Sequence, residues 1–354
     1  MSEKKITTES IFDMIQAHVE NVVLSRLPQE DKYPSHIAEA MNYAMKAGGK
    51  RIRPTLMYLT YKACKRGSLY DLSRAEEAHF EDGSDTVERT DISDDVTLKL
   101  TSGNEDAIES FMAAIEMIHT HSLIHDDLPA LDNDSLRRGR PTVHVQFDES
   151  TAILAGDALL NYAYEVVHNT YIDEMYRGVS NKSFKKDYML LGRLLVAGYI
   201  LSAKTGVNGM LGGQGLDVQL SGQSMTNEER DYININKTCA LIEAPLMIGA
   251  TLAGADKGTV NKLEEAGRNI GLAFQVQDDI LDVTSDAETL GKEVHQDEKN
   301  AKNTYVSEYG LDEARKYVRA RSENAVKTIE EVVPEGEYRE LLIDLINKMT
   351  VRVK

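Results

Sequence analysis

Two clusters of aspartates are the residues whose types and spacing point most directly to chemistry. The first closes an apolar tract and consists of Asp126, Asp127 and Asp132. The second lies inside a strongly apolar tract and consists of Asp278, Asp279 and Asp282. Neighbouring carboxylates resist joint ionisation unless a cation lies between them, and Mg²⁺ takes one or two carboxylates together with water and substrate phosphates. One acidic cluster is more often a solvated helix face, but two in apolar sequence favour a metal site.

Local sequence predicts how each cluster converges. Pro129 disfavours helical backbone at the residue before it, so the chain should leave the helix there and bring Asp132 back toward Asp126. Asp278 and Asp282 are four residues apart, a spacing that puts both on one face of a helix. Each cluster can therefore present two carboxylates to one ligand.

Two basic clusters accompany the aspartates, at 48–54 (GGKRIRP) and 136–141 (LRRGRP). Either basic cluster alone is also typical of charged residues at a helix end or of ion pairs on a protein surface. Beside aspartates in a chain of net charge −18, they favour a polyanion held by Mg²⁺ and by guanidinium groups. A nucleotide is not the expected ligand, because there is no Walker loop and no dinucleotide glycine fingerprint. The glycines in 209–215 follow no strand and are interpreted as sites of close helix packing.

Long helices must position these clusters. Apolar residues recur at spacings of three and four in 109–125, a pattern typical of helix. Similar tracts are 151–168, 188–204, 239–254, 260–283 and 311–330. Several are apolar on more than one face, which is expected of helices surrounded by other helices. Because no strand-like alternation or repeat is present, the predicted fold is all-α, a single large helical bundle.

The length of 354 residues allows one large domain or two ordinary ones, and 42% apolar residues can bury a sizeable core. A single domain, 1–354, is predicted because no polar segment has the composition of a linker between two cores. Most of the acidic excess lies in a segment at about 67–108, interpreted as a solvated, partly disordered insertion. A second polar stretch, 173–187, is predicted to be an ordinary helix–helix connection.

Composition excludes several other classes of protein. The net charge of −18 opposes generic nucleic-acid binding, which depends on neutralising phosphates. Cys64 and Cys239 are too few for a disulfide framework or a thiolate metal site. The N-terminus lacks the apolar core of a signal peptide, and Met189–Leu201 contains Arg193 and is too short to span a bilayer. The expectation is a cytoplasmic protein with no membrane span.

The motifs, taken in order, resemble those of the trans-polyprenyl diphosphate synthases, most of all the bacterial farnesyl diphosphate synthase (geranyltranstransferase) branch. The resemblance covers roughly 10–66 and 109–350. The matching segments are GGKRIRP, SLIHDDLPALDNDSLRRGRPTVH, LAGDALL, GGQGLDV, NKTCALIEAP and GLAFQVQDDILDV followed by LGKE.

This resemblance implies an all-α bundle around a central apolar cavity, with the aspartate motifs facing each other across its mouth. It implies Mg²⁺, as three ions once substrate is bound and with Mn²⁺ as an alternative, held by Asp126, Asp127, Asp132, Asp278, Asp279 and Asp282. The allylic diphosphate would contact Arg137 and, by looser analogy, Lys204, Lys237 and Lys292. Isopentenyl diphosphate, the second substrate, would bind without metal to Lys50, Arg53, His119 and Arg138. Dipoles toward the carbocation would come from Thr238 and Gln275.

The implied reaction is ionisation of an allylic diphosphate, attack by isopentenyl diphosphate and loss of a proton. Product length would be set by residues before the first aspartate motif: Met117, Ile118, His121 and Ser122. The intermediate bulk of His121 favours farnesyl diphosphate (C15) over geranylgeranyl diphosphate (C20). A terpene cyclase is a further alternative, disfavoured by the lack of Trp, and a catalytically inactive subunit is disfavoured by the six intact aspartates. A homodimer is also implied.

Some positions depart from the family pattern. His295 stands where a glycine is common, and the segment 301–303 replaces a more usual glycine-lysine pair, which puts the phosphate role of Lys302 in doubt. Two readings remain open for Arg352 and Lys354: closure over the site, or ordinary exposed charge at a chain end.

Overall fold

Almost all of the described chain is helical. The computed structural model describes residues 8–31, 34–65, 103–181, 184–223, 225–284 and 305–350. The α-helices are α1 (Thr8–Ser25), α2 (Ser35–Met45), α3 (Ile52–Cys64), α4 (Gly103–Asp126), α5 (Val143–Gln146), α6 (Glu149–Asn181), α7 (Phe184–Thr205), α8 (Met210–Gln219), α9 (Asn227–Ile233), α10 (Ala240–Ala253), α11 (Lys257–Thr284), α12 (Tyr305–Tyr309), α13 (Leu311–Val332) and α14 (Glu337–Thr350). A π-helix, Asn234–Cys239, joins α9 to α10. The strands β1 (Leu136–Arg137) and β2 (Arg140–Pro141) pair antiparallel as a short hairpin. The predicted all-α fold is confirmed.

The helix α10 lies in the middle of the bundle. Every residue from Ala240 to Leu252 is buried, and α10 packs against α3, α4, α7 and α11. Gly249 permits the closest of these contacts, since a Cβ there would lie 2.5 Å from the Met57 carbonyl oxygen of α3. The expectation that the most apolar tracts are surrounded by other helices is therefore correct for α10.

The outer helices bury one face each. In α1, for example, Ile15, Val19 and Val22 recur at helical spacing and are buried. Side chains from α1, α2, α3, α4, α6, α7, α10, α11, α13 and α14 all contribute to one continuous apolar core. Removal of this apolar surface from water is the main force that holds the helices together.

The helix before the first aspartate motif is longer than its apolar pattern indicated. It begins at Gly103, so the last residues of the predicted insertion 67–108 belong to α4. Ala107 and Ile108 are each only 1% exposed and join the core. Residues 66–102, which carry the rest of that predicted insertion, lie outside the described residues.

The predicted connection at 173–187 is correct in place but wrong in extent. The helix α6 continues to Asn181 and α7 begins at Phe184, so most of this stretch is helical. Asp173 and Glu174, which suggested a solvated break, are buried. The stretch contains no proline, and a single glycine costs a helix only about 1 kcal/mol, so polarity alone does not end it.

One described stretch, Met189–Gln219, is long and apolar enough by composition to cross a membrane. It is not a single rod, because α7 ends at Thr205 and α8 begins at Met210. Of the residues in the most apolar part of this stretch, 28% are buried in the bundle. Large apolar side chains of α7, Leu195 and Tyr199 among them, are instead exposed.

Candidate active site

The first aspartate cluster lies where α4 ends. The chain leaves the helix after Asp126, and the Asp132 amide donates a hydrogen bond of 2.9 Å to the Asp126 carbonyl oxygen. The turn is closed by Asn133, whose φ of 53° is in the left-handed region that asparagine tolerates. The predicted return of Asp132 toward Asp126 is therefore confirmed.

The Asp126 carboxylate lies in a half-buried position between three elements. Gln214 of α8 donates a hydrogen bond of 2.7 Å from Nε2 to Asp126 Oδ1. Burial raises the pKa of Asp126 to about 6; the nearby Lys237 ammonium opposes this rise, and the Asp132 carboxylate adds to it. A divalent cation at this position would remove the cost of holding these carboxylates ionised together.

Asp127 is held by an arginine. Arg137 Nε donates to both carboxylate oxygens of Asp127, at 2.7 and 2.9 Å, and Asp127 is only 3% exposed. Arg137 also lies 3.5 Å from Asp134. Burial raises the pKa of Asp127, while the hydrogen bond from Arg137 lowers it. The guanidinium group is thus fixed beside the first motif by one of the carboxylates predicted to bind metal.

The second aspartate cluster lies near the end of α11. Asp279 is buried: it accepts a hydrogen bond of 3.3 Å from Gln275 Nε2 and another of 3.2 Å from the Tyr305 amide. Asp278 and Asp282 are half-buried on the same helix. The predicted helical placement of this motif is correct.

The π-helix links the two aspartate clusters. Its Lys237 is close enough to Asp126 to oppose the rise in the pKa of that carboxyl, and its Thr238 donates a hydrogen bond of 3.1 Å to Gln275 Oε1. Gln275 in turn contacts Asp279. Lys237 and Thr238, consecutive residues of one wide helical turn, are therefore connected to the first and second clusters respectively. Such turns are frequent at functional sites.

The π-helix is held in place by close packing against α8. A Cβ on Gly213 would lie 2.3 Å from the Lys237 amide nitrogen, and Lys237 Nζ lies 2.5 Å from Asp217 Oδ2 of α8. The interpretation of the glycines in 209–215 as close-packing residues is therefore correct for Gly213.

We expect Gly213→Ala to destabilise the protein by about 1–3 kcal/mol, because backbone atoms of the π-helix would have to move. Turnover should fall as well, since Lys237 moves with them. Gly215→Ala on the same helix is the matched control: nothing lies within 4 Å of its Cβ, and the change should stabilise the helix by up to about 1 kcal/mol. Thermal denaturation and turnover of both variants test this, and equal behaviour would contradict it.

The two basic clusters meet beside the first aspartate motif. Arg138 of the hairpin loop donates a hydrogen bond to the Gly48 carbonyl oxygen, and a Cβ on Gly49 would lie 2.7 Å from the Arg138 guanidinium. Tyr43 donates a hydrogen bond of 2.8 Å to the Pro141 carbonyl oxygen. Residues distant in sequence thus form one basic surface. Gly49 suits this position because its φ of 135° is one that residues with a side chain rarely adopt.

Arg53 and His119 lie at the same place and each has a buried nitrogen without a partner. Arg53 Nε and His119 Nδ1 make no hydrogen bond to any described residue. Burial lowers the pKa of Arg53 to about 10, and burial together with Arg53 and Arg138 holds the pKa of His119 well below its usual range. Buried donors and cations without a counter-ion are costly, and an anion such as a phosphate group would satisfy them.

A sequence model of the family described as Polyprenyl synthetase matches residues 34–338. The chain belongs to the polyprenyl synthetase family. Farnesyl diphosphate synthase from Micrococcus luteus is 36% identical over 312 residues, which are 88% of this chain and 89% of that protein. Geranylgeranyl diphosphate synthase from Cyanophora paradoxa is also 36% identical over 312 residues, covering 88% of this chain and 86% of that protein.

Solved structures agree with this assignment. Geranyltransferase from Helicobacter pylori, complexed with magnesium and isoprenyl diphosphate, has a TM-score of 0.71 at 28% identity, over 99% of this chain and 98% of that one. An apo FPP/GFPP synthase from Zymomonas mobilis has a TM-score of 0.70 at 26% identity, over 97% of this chain and 99% of that one. This polyprenyl synthetase is therefore a prenyltransferase.

The donor set of this polyprenyl synthetase fits Mg²⁺ that arrives with a phosphate ligand. Within the described ranges, no three Asp, Glu, His or Cys side chains are close enough to hold an ion by themselves. The two motifs offer carboxylate oxygens that range from buried in Asp127 and Asp279 to exposed in Asp132. Mg²⁺ commonly uses one or two such oxygens and completes its shell with water and substrate phosphates. The residues present therefore fit ions shared with a diphosphate.

Some predicted residues have other described contacts. Lys204 forms ion pairs with the buried Glu243 and, at 2.6 Å, with Glu264. Arg268 contacts Glu243 from the other side at 2.9 Å. These contacts give Lys204 a structural role in neutralising Glu243, and they do not place it with the aspartate motifs. Five residues named from the sequence lie outside the described residues: Lys292, His295, Lys302, Arg352 and Lys354.

The predicted chain-length residues lie on α4, before the first motif. His121 is buried, its Nδ1 is 3.0 Å from the Gly156 carbonyl oxygen of α6, and its ring packs edge-on against His125 at 4.6 Å. Met117 and Ile118 are fully buried deeper along the same helix. Ser122 donates a hydrogen bond of 2.9 Å to the His119 carbonyl oxygen.

Sequence reasoning missed two features of this site. Arg51, counted with the other cations of GGKRIRP, has its side chain buried in contact with Glu20 and Glu116. The composition of the π-helix did not distinguish it from an ordinary α-helix. The available signal for Arg51 was its position, two residues after a glycine pair and directly before the start of a helix.

Proposed function

We propose that this polyprenyl synthetase condenses isopentenyl diphosphate with dimethylallyl or geranyl diphosphate, in the presence of Mg²⁺, to give farnesyl diphosphate. The observation that carries the proposal is the presence of two different anion-binding environments side by side. One has carboxylates around the π-helix and suits a diphosphate that arrives with metal ions. The other has the half-buried Arg53, whose Nε is buried, and the exposed Arg138, and it suits a diphosphate without metal.

Bound Mg²⁺ would stabilise negative charge on the departing diphosphate, held by Asp126, Asp127, Asp132, Asp278, Asp279 and Asp282. Arg137 and Lys237 would add fixed positive charge to the same group. Arg137 would transfer its hydrogen bonds from Asp127 to the diphosphate. Their combined effect is to weaken the allylic carbon–oxygen bond, so that the allylic fragment separates as a carbocation.

The second substrate would be oriented by Lys50, Arg53, His119 and Arg138. Its double bond then attacks the carbocation, a new carbon–carbon bond forms, and a proton is lost to the departing diphosphate. Thr238 and Gln275, which are hydrogen bonded to each other, would direct oxygen dipoles toward the cation. The apolar helices around the site would exclude water, which would otherwise quench the cation.

Geranylgeranyl diphosphate is the second candidate product, and enzymes of both names are among the similar proteins. The proposal of a C15 product is supported by the buried His121 ring. A terpene cyclase is less well supported, because a cyclase acts on one diphosphate and has no use for a second, metal-free cationic site.

We expect His121→Ala to lengthen the product toward C20, because it removes a buried ring one turn from Met117 and Ile118. Chromatographic sizing of the reaction products tests this. His168→Ala, an exposed histidine on α6, is the control and should leave the product unchanged. If His121→Ala makes nothing longer than the wild type does, the product is limited by another residue.

A homodimer is proposed from the surface of α6 and α7, which pack against each other. Both expose large apolar side chains, with Leu154 53% exposed on α6 and Tyr199 72% exposed on α7. Contiguous exposed apolar surface is typical of protein interfaces. Sedimentation equilibrium is expected to give twice the mass of one chain, and a monomer mass at micromolar concentration would contradict the proposal.

We further propose that residues 1–354 form one domain, which the continuous core supports. A cytoplasmic location stays a prediction.

Activity is tested by mixing the protein with Mg²⁺, isopentenyl diphosphate and either dimethylallyl or geranyl diphosphate, and sizing the products. The expected result is farnesyl diphosphate, with no turnover when Mg²⁺ is chelated. Consumption of farnesyl diphosphate in the absence of isopentenyl diphosphate would instead indicate a cyclase.

A further inference from the structure

Glu116 is a buried carboxylate beneath the cationic surface, and nothing in the proposed reaction uses it. Its side chain is 2% exposed, and its Oε1 accepts a hydrogen bond of 2.9 Å from Arg51 Nη1. Its other oxygen, Oε2, is buried and accepts no hydrogen bond from the described residues. Burying a carboxylate with one oxygen that accepts no hydrogen bond lowers the stability of the fold, which points to a role for this charge other than stability.

Arg51 connects Glu116 to the backbone of the GGKRIRP loop. Its guanidinium also donates to Glu20, at 2.7 and 3.1 Å, and to the Met45 carbonyl oxygen at 2.6 Å. Its φ is 44°, in the left-handed region that costs a residue with a side chain about 1 kcal/mol or more. This conformation lies between Lys50 and the start of α3, so the buried ion pairs hold a strained turn that orients Lys50 and Arg53.

Glu116 also acts on the cations directly. It is the negative charge that most strongly opposes the fall in the pKa of Arg53, and it does the same for Arg138. His119 lies three residues further along α4, on the same face as Glu116. Arg53 Nε and His119 Nδ1 are buried without hydrogen-bond partners, as is Glu116 Oε2.

We propose that Glu116 is a positioning residue for the metal-free diphosphate site: through Arg51 it fixes the loop that carries Lys50 and Arg53, and it keeps the cations assembled before substrate binds. This inference rests on the proposed function, because it assigns that site to isopentenyl diphosphate. It predicts that neutralising Glu116 changes diphosphate affinity in the direction opposite to that expected from charge repulsion alone. If Glu116 were only a nearby negative charge, neutralising it would strengthen diphosphate binding; a positioning residue predicts weaker binding.

The test is calorimetric titration of isopentenyl diphosphate into the full chain in Mg²⁺-free buffer, with steady-state kinetics alongside. For Glu116→Gln we expect the Kd for isopentenyl diphosphate to rise at least about tenfold, equivalent to 1.4 kcal/mol. KM for isopentenyl diphosphate should rise with it, while KM for geranyl diphosphate stays within about twofold. A merely structural role would lower the active fraction or kcat and leave the two KM values in their original ratio.

Glu109→Gln is the matched control. Glu109 lies two turns earlier on α4 and also contacts an arginine, with Oε2 3.4 Å from Arg26 Nη1. It should leave the Kd for isopentenyl diphosphate unchanged. Should Glu116→Gln fail to fold, Glu116→Asp replaces it: this variant keeps the charge but draws the carboxylate away from Arg51, and its Kd for isopentenyl diphosphate should be higher than that of the wild type.

The inference is overturned if folded Glu116→Gln binds isopentenyl diphosphate as tightly as the wild type or more tightly, or if Glu109→Gln weakens binding equally. It is also overturned if Glu116→Asp binds as the wild type while Glu116→Gln does not fold, since the position of the carboxylate would then be irrelevant. Failure of the proposed function looks different: the wild-type chain itself would neither bind isopentenyl diphosphate nor extend any allylic diphosphate.

Discussion

Asp126→Asn is expected to reduce turnover by about 10³-fold, the order of effect seen when one group that stabilises a transition-state charge is removed. Asparagine keeps the size of the side chain and one oxygen, so the hydrogen bond from Gln214 has an acceptor. It removes the charge that would hold Mg²⁺ on the departing diphosphate. Turnover with saturating Mg²⁺ and both diphosphates is the measurement.

The same substitution should not destabilise the fold. Burial raises the pKa of Asp126 from 3.8 to about 6, so without metal the folded protein pays for ionising this group. The cost appears as pH rises from about 4 to about 6 and reaches at most about 3 kcal/mol at pH 7. In Mg²⁺-free buffer at pH 7, Asp126→Asn should therefore melt at the same temperature as the wild type or higher.

Asp157→Asn provides the control for Asp126. Asp157 lies on α6, 3.8 Å from His125, and its side chain is 62% exposed. Turnover and melting temperature should both stay close to the wild-type values. Retention of more than a tenth of wild-type turnover by Asp126→Asn, or a lower melting temperature in Mg²⁺-free buffer, would contradict the role assigned to this carboxylate.

Arg51→Met is expected to lower the free energy of unfolding by about 3–5 kcal/mol. Methionine fills a similar space but leaves Glu116, only 2% exposed, without its cation. The double variant Arg51→Met/Glu116→Gln should recover part of this loss, because it removes the uncompensated charge. Urea denaturation of the three proteins at pH 7 gives the comparison.

An exposed ion pair from the preceding helix and its loop supplies the control for Arg51. Lys46 lies 2.9 Å from Glu30, and the two side chains are 53% and 43% exposed. Lys46→Met should change the free energy of unfolding by less than about 1 kcal/mol. If Arg51→Met has an equally small effect, the ion pairs in the core do not hold the GGKRIRP loop.

Much of the architecture could be predicted from local sequence. The all-round apolar character of 239–254 indicated a helix enclosed by others, and α10 is buried from Ala240 to Leu252. Pro129 predicted where α4 ends and how Asp132 returns to Asp126, because the steric effect of proline acts on its immediate neighbours. Such features depend on a few adjacent residues or on one periodicity.

Other features depend on contacts between distant segments. Lys50, Arg51 and Arg53 are similar cations in the sequence, yet Arg51 turns inward because Glu20 and Glu116 of two other helices meet it there. The polar stretch after residue 173 is helical to Asn181, and the fold buries Asp173 and Glu174, whose polarity had indicated a solvated connection. No window of neighbouring residues contains that information.

The wide turn from Asn234 to Cys239 also has an evolutionary consequence. A π-turn holds one more residue than an α-turn, so inserting a single codon into an uninterrupted helix is sufficient to create one. The wide turn takes up the added residue locally, so the change is concentrated in the side chains of that turn. A short in-frame change at this point therefore alters which side chains face Asp126 and Gln275 without lengthening any loop, which makes it a simple genetic route to new chemistry on the same scaffold.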